Sequence, residues 1–378
     1  MKNILVITPT FFPDIGGVET HLSDLTKGLG AIGNLRVTVV TLKPIVTKGI
    51  KSYKKKEVSK NLVVYRFWWI GGNLFHFFES YPFLQFLYLC PYLFIRTFFI
   101  LLFKKEKIDV IHGQGLTGAW VGLVIKKIFH KKLVVSTHAI YKINRNSLIT
   151  RLIKYTLNQS DEILCLSEAS RKQLVNFSVN KEKIHLYKQW IDLDSFKPLD
   201  KNNIREVLKI ENKFSVLFIG RLIEMKGIKV LIEVAKKNEN INFIFVGHGP
   251  LENYLINVCK VYKNVIFLGS IENEDICQYY NLGDIFCLPS QEDEGFGRVI
   301  MEALACGIPV IGSNKGGIPE ALDESVSIVV EPTFSNLDMA IKTLYFDKDR
   351  LLKMKNNARS YAFKNFSKNN IYLIISHY

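Results

Sequence analysis

The run Ile285-Phe-Cys-Leu-Pro-Ser290, Glu294-Gly-Phe-Gly-Arg-Val-Ile-Met-Glu302 and Ala-Leu-Ala-Cys-Gly-Ile-Pro-Val-Ile311 reads as strand, glycine-bearing turn, helix and strand. A turn of this kind, feeding a helix, offers free backbone N–H groups and the positive end of a helix dipole to an anion or a set of hydroxyls. If the helix begins near Gly297, Glu302 lies on its second turn and Glu294 in the loop before it. The two carboxylates can then contact opposite ends of one elongated ligand. Two glutamates eight residues apart are ordinarily just a solvated helix face. The strand before them and Gly316-Gly317-Ile-Pro-Glu320 after them make this pair specific.

Outward from this unit, short apolar runs alternate with helical patterns in both halves of the 378-residue chain. The strands expected in the first half are 2–8, 37–41, 62–67, 110–113, 133–137 and 163–167. Those of the second are 215–220, 242–247, 265–269, 285–289, 310–313 and 327–330. Each set forms one doubly wound parallel sheet, an α/β fold in two domains, 1–190 and 191–360. The junction falls near Trp190-Ile-Asp-Leu-Asp-Ser-Phe-Lys-Pro198, where turn-forming and polar residues break the pattern. A Lys-rich, aperiodic stretch from Lys43 to Lys60 reads as an exposed mobile loop.

The net charge of +15 is lopsided: residues 1–190 carry 28 Lys+Arg against 11 Asp+Glu, and residues 191–378 carry 22 against 24. A basic first half suits an anionic surface or substrate, unless it merely reflects a Lys-rich composition spread over the surface. Its lysines are interleaved with long apolar stretches and match no nucleic-acid-binding motif, so a nucleic-acid partner is not expected. Phe86 to Phe103 is apolar enough to suggest a membrane span, but Pro91 and Arg96 lie inside it, and it reads as a very apolar helical region instead. Lys104, Lys105, Lys107, Lys126, Lys127, Lys131 and Lys132 flank an aromatic region from Phe67 to Phe103, as in a protein resting on an anionic leaflet. The alternative is a buried helix pair with ordinary solvated lysines. The opening Met1-Lys-Asn-Ile-Leu-Val-Ile-Thr-Pro9 is too short an apolar run for a signal peptide. Cys90, Cys165, Cys259, Cys277, Cys287 and Cys306 show no metal-type spacing and read as reduced core residues of a cytosolic protein.

Ligands of open α/β sheets bind beyond the carboxyl ends of the strands, and several motifs fall there. After the strand ending at Gly220 comes Arg221-Leu-Ile-Glu-Met-Lys226-Gly227. Arg221 can fork onto two phosphate oxygens and Lys226 can add a point charge, a combination suited to a diphosphate. Gly16 and Gly17, after the first strand, let backbone N–H groups approach a phosphate or sugar. Gly247-His-Gly249 is a partial glycine match that lacks the third glycine of a dinucleotide fingerprint. His138 ends another strand of the first half. Alone it would read as a structural histidine, and His112 in Asp109-Val-Ile-His-Gly-Gln114 is a second, lesser candidate at a loop. No D-x-D stands at a strand end, since Asp192-Leu-Asp194 lies in the junction; the charge of a diphosphate is therefore expected to be met by protein cations, with no essential metal and no other cofactor.

The segment Glu294 to Glu302, with Arg221, Lys226-Gly227 and the Gly16-Gly17 loop, resembles the E-x7-E signature, diphosphate clamp and Gly-Gly loop of the retaining glycosyltransferases of family 4. The resemblance spans essentially the whole chain and is sharp from Gly220 to Glu320. It implies the GT-B fold: two Rossmann-like domains facing across a deep cleft, with a C-terminal helix, about 361–378, returning to the first. It further implies transfer of a sugar from a nucleotide-diphosphate sugar, with Glu302 accepting hydrogen bonds from the ribose hydroxyls and Glu294 near the transferred sugar. Backbone groups of Phe296, Gly297 and Arg298 would complete the cradle with Gly220 and Gly247, and His138, in Val135-Ser-Thr-His138, which resembles the family's T-x-H motif, would contact the donor sugar. Pro289-Ser-Gln-Glu-Asp-Glu294 has one residue more than the commonest spacing, so Glu292 could share the role of Glu294. The expected acceptor is a glycan or polyprenyl-linked saccharide used in cell-surface polysaccharide synthesis, reached from the cytoplasmic face of the membrane. A nucleotide-sugar epimerase on the same scaffold would need no basic surface, and a silent sugar-nucleotide-binding protein would not need Arg221, Lys226, Glu294 and Glu302 together.

Overall fold

The computed structural model describes residues 1–47, 50, 52–70, 74–79, 81–103, 106–138, 148–271 and 275–378. Lys104 and Lys105 lie outside them, as do Lys48, Gly49 and Lys51 of the Lys43–Lys60 stretch. The chain divides into two compact units, Met1–Gln189 with Lys368–Tyr378, and Trp190–Ser367.

In the first unit the strands are β1 (Lys2–Ile7), β2 (Leu35–Leu42), β3 (Lys56–Val58), β4 (Leu62–Phe67), β5 (Val110–Gln114), β6 (Lys132–Thr137), β7 (Glu162–Cys165) and β8 (Ile184–Leu186). They lie in the order β3-β4-β2-β1-β5-β6-β7-β8 and are parallel except for the edge pair β3–β4. Strands covered by helices on both faces must be apolar throughout rather than alternating. Leu5, Val6, Ile7, Ile111, Val134 and Val135 are accordingly fully buried. The order reverses between β1 and β5, the switch point at which such sheets bind ligands.

The second unit holds β9 (Ser215–Ile219), β10 (Asn242–Val246), β11 (Val265–Phe267), β12 (Ile285–Leu288), β13 (Val310–Ser313) and β14 (Ser327–Val330). Their order, β11-β10-β9-β12-β13-β14, is that of a doubly wound sheet, all pairs are parallel, and the reversal lies between β9 and β12.

Two expectations need correction. The Lys43–Lys60 stretch is structured in part: Asp14 accepts the backbone N–H groups of Ile45 (3.2 Å), Val46 (2.9 Å) and Thr47 (2.8 Å), and residues 56–58 form β3. Residues 190–198 belong to the second unit, where the Arg359 guanidinium donates to the carbonyls of Leu193 (2.7 Å), Ala305 (2.6 Å) and Phe196. The end of the chain is not one returning helix. Helix Lys348–Asn365 finishes within the second unit, and a one-turn 3-10 segment with the short helix Ile371–Ile375 forms the part that joins the first.

Helix Pro82–Phe103 gathers most of the apolar stretch of the first half. It turns Leu89, Cys90, Leu93, Thr97, Ile100 and Leu101 into the core. Leu84, Leu87, Pro91, Ile95, Phe99 and Leu102 are exposed, spaced three or four residues apart along the whole helix. That is one continuous stripe at helical period, and it is apolar where a water-facing helix would be polar. By length and composition Phe83–Phe103 could cross a membrane, but its inner face is already committed to the core.

Candidate active site

The site of the second unit grows from the β9/β12 switch point. The loop after β9 carries Gly220, Arg221, Lys226 and Gly227; the loop after β12 carries Ser290 to Gly297 and leads into helix Arg298–Ala305. The two loops are knitted together by Gln291 N–H donating to the Met225 carbonyl at 2.8 Å. Gly227 has a positive φ of 73°, and a Cβ there would fall 1.9 Å from the Pro289 carbonyl oxygen, so only glycine lets them approach. Gly316 plays the same part on the other side: with φ 57°, a Cβ there would lie 2.3 Å from the Glu294 carbonyl oxygen. Gly317 N–H donates to that carbonyl at 2.7 Å, and Gly316 N–H donates to Asp293 Oδ1 at 2.8 Å. The Gly316-Gly317 signal therefore braces the Glu294 loop.

Within this frame Lys226 Nζ meets Glu294 Oε1 at 2.6 Å, and Ser290 Oγ donates to the same oxygen. Lys226 is thus not an isolated cation; Glu294 already offsets its charge. Arg221 is exposed, and its guanidinium bonds to no side chain among the described residues. Gly220 N–H donates to the Val246 carbonyl at 3.0 Å, and Leu222 N–H to the His248 carbonyl at 2.8 Å, so the Gly247 turn buttresses the Arg221 loop.

Gly297 caps helix Arg298–Ala305 with φ 85°. Phe296 is buried with its ring 6.1 Å from that of Phe366, so only its backbone can face a ligand. Arg298 Nε donates to Glu302 Oε1 at 2.9 Å, and Tyr280 OH donates to Glu302 Oε2 at 2.7 Å. Burial, and then the neighbouring Glu302 charge, push the Tyr280 phenol well above its ordinary pKa, so it remains a donor. Each oxygen of Glu302 is thus aimed by a protein donor. Tyr280 and Ser290 carried no signal in the sequence, since neither belongs to a spaced motif. Among the paired carboxylates, Glu294 is the one held by Ser290 and Lys226.

In the first unit Gly16 precedes helix Gly17–Ala31, whose first turn holds the buried Glu19. Thr10 Oγ1 donates to Glu19 Oε1 at 2.7 Å, which fixes the Gly16-Gly17 loop over the end of β1. His138 directly follows β6 and its Nε2 bonds Gln114 Oε1 at 2.8 Å, so Gln114 at the end of β5 orients the ring. Its Nδ1, and Gln114 Nε2, are buried and have no hydrogen-bond partner among the described residues. Burial holds the imidazole near pKa 4, neutral at physiological pH. His112 does not sit at a loop. It lies in β5, fully buried, between Tyr378 OH (2.8 Å from Nδ1) and Ser136 Oγ (2.7 Å from Nε2), and burial followed by His138 lowers it to about 3. It is a core histidine satisfied by the end of the chain.

Two family descriptions divide the sequence as the fold does: residues 15–195 match Glycosyltransferase Family 4, and residues 200–361 match Glycosyl transferases group 1. The chain belongs to glycosyltransferase family 4. This glycosyltransferase has the GT-B fold. It is similar to the phosphatidylinositol N-acetylglucosaminyltransferase GPI3 protein of Saccharomyces cerevisiae, 26% identical over 88% of this chain and 72% of the yeast one. The Homo sapiens phosphatidylinositol N-acetylglucosaminyltransferase chain is likewise 26% identical, over 91% of this chain and 68% of its own length. Among solved structures, sucrose-phosphate synthase from Thermosynechococcus elongatus superposes with a TM-score of 0.80 at 22% identity, covering 100% of this chain and 98% of that one. Anabaena HepE in complex with UDP and glucose gives 0.77 at 21%, with the same coverage. At these identities the structural likeness speaks for the fold.

Proposed function

We propose that this glycosyltransferase moves a sugar, with its anomeric configuration retained, from a nucleotide-diphosphate sugar to a lipid-linked saccharide used in surface polysaccharide synthesis, working at the anionic cytoplasmic face of the membrane. The observation that carries the donor half is the β9/β12 switch point, where exposed Arg221, the Lys226–Glu294 pair and the N-terminus of helix Arg298–Ala305 share two interlocked loops. Arg221 provides a bidentate clamp for a diphosphate, and growth of charge on the departing diphosphate is what such a clamp stabilises best. Glu294 carries a negative charge beside that clamp, where an oxocarbenium-like sugar would develop positive charge. Lys226 is poised to exchange part of its bond to Glu294 for a phosphate oxygen. Glu302, held by Arg298 and Tyr280, accepts the two ribose hydroxyls. Protein cations answer the diphosphate charge, so transfer needs no essential metal.

The acceptor half rests on the apolar stripe of helix Pro82–Phe103 and on the surplus of basic residues in the first 190. A helix with one face in the core and the other apolar and exposed lies flat in the headgroup boundary rather than spanning it. The yeast and human relatives both carry phosphatidylinositol, a membrane lipid, in their names.

The test is nucleoside diphosphate release from a panel of nucleotide sugars, in chelator, with and without vesicles carrying a membrane lipid extract. Release from one donor that rises with the extract, and a product of retained anomeric configuration, support the reading. Isomerised donor without release, or release only on adding a divalent metal, would overturn it. Replacing Leu87, Ile95 and Phe99 together by glutamate should abolish co-sedimentation with anionic vesicles and leave nucleotide binding intact. Tyr280→Phe removes a donor that aims Glu302, and should weaken nucleoside diphosphate binding about tenfold by calorimetry.

A further inference from the structure

A second cluster, of three residues not used above, lies in the first unit on β7, β8 and the returning segment. Glu162 opens β7, His185 sits in the neighbouring strand β8, and His377 follows helix Ile371–Ile375. Glu162 Oε2 is 2.7 Å from His185 Nε2 and 3.6 Å from His377 Nδ1. The two imidazoles lie with centroids 4.3 Å apart and 31° between planes. One potential ligand atom from each of the three residues falls within 4.8 Å of the other two, and all three side chains are half-buried.

We propose that Glu162, His185 and His377 form a divalent-cation site of the zinc class that fastens the end of the chain to the β7–β8 edge. Two imidazole nitrogens and one carboxylate oxygen are a donor set for zinc, cobalt or nickel rather than for magnesium or calcium, which want oxygen ligands. Zinc bonds of about 2.0–2.2 Å place tetrahedral ligands about 3.3 Å apart, so small side-chain rotations would seat an ion and leave a fourth position for water. Lys132 Nζ lies 3.6 Å from Glu162 Oε1, the other oxygen; it competes for the carboxylate and sets a ceiling on affinity. The consequence is mechanical. Tyr378, beside His377, hydrogen-bonds His112 through its hydroxyl and accepts Lys2 Nζ at its carbonyl (2.8 Å), so an ion at His377 would lock a segment that already ties β1 and β5 together.

The experiment uses the whole protein after chelator treatment and dialysis. Zinc chloride should raise the melting temperature saturably by several degrees, equilibrium dialysis should find one zinc bound per chain, and cobalt should give a visible absorption band. Magnesium should do none of these. His377→Ala and Glu162→Gln should lose all three responses while keeping the wild-type far-UV spectrum without metal, whereas His248→Ala, at an exposed histidine of the other unit, should keep them. An equal response in His377→Ala, or no bound zinc in the native chain at micromolar concentration, overturns the assignment.

Discussion

Arg221→Ala is expected to lower kcat for sugar transfer about a hundredfold, with a much smaller change in KM for the donor. Arg221 is exposed and its guanidinium bonds to no side chain among the described residues, so its removal leaves the fold alone and should not shift the melting temperature. Its charge matters most when the diphosphate leaves, because the negative charge on the bridging oxygen is largest there. Lys226→Ala makes the contrast. Lys226 shares its charge with Glu294 at 2.6 Å, so its loss also frees a carboxylate beside the diphosphate and should raise KM as well as lower kcat. Steady-state kinetics of both variants with one donor checks the split. An Arg221→Ala enzyme with unchanged kcat would remove the clamp from the mechanism.

The parallel sheets were legible because strands covered on both faces must be short continuous apolar runs, and the bodies of β1, β9, β10 and β12 are such runs. Three-residue β3, Lys-Glu-Val and wholly exposed, and the equally short β8 have no such pattern; pairing with a neighbour makes them strands. The glycines, Arg221 and the two glutamates were legible as a spaced pattern following strands. Their connections were not, because Tyr280 meets Glu302 across 22 residues and Lys226 meets Glu294 across 68. His112 misled for the same reason: Tyr378, its partner, lies 266 residues away. The stripe of helix Pro82–Phe103 was hidden by richness, since a segment apolar on all sides shows no period until the core claims one face.

The largest loss of stability should follow Asp284→Ala, at a residue with no motif at all. Asp284 precedes β12, and its carboxylate receives Lys201 Nζ at 2.7 Å, Lys355 Nζ at 2.8 Å and the Ser215 backbone N–H at 3.1 Å, with Arg205 Nη2 at 3.5 Å. It thereby joins helix Lys201–Val207, β9, β12 and helix Lys348–Asn365, the frame on which the switch-point loops stand. Lys201 and Lys355 can swing into water when the carboxylate goes, but Arg205, 3% exposed, cannot, and a buried cation would be left uncompensated. Such a break costs about 3 kcal/mol. Arg205 keeps bonds to the Leu282 and Lys213 carbonyls, which holds the cost to the lower end of the usual range. Amide exchange in β9 and β12 should accelerate accordingly, and Asp284→Ala combined with Arg205→Met should recover part of the protection, because the stranded charge is then gone. The pH dependence carries the same sign. Burial raises the Asp284 carboxyl, yet Lys355 and Lys201 outweigh it and bring the pKa to about 2, below the 3.8 of an unperturbed aspartate. The charged form is therefore favoured by folding, so its contribution of about 2 kcal/mol is complete above pH 4 and is lost as the pH falls toward 2. Protection in β9 and β12 that is insensitive to Asp284→Ala, or equal at pH 2 and pH 5, would mean that packing alone holds the switch point.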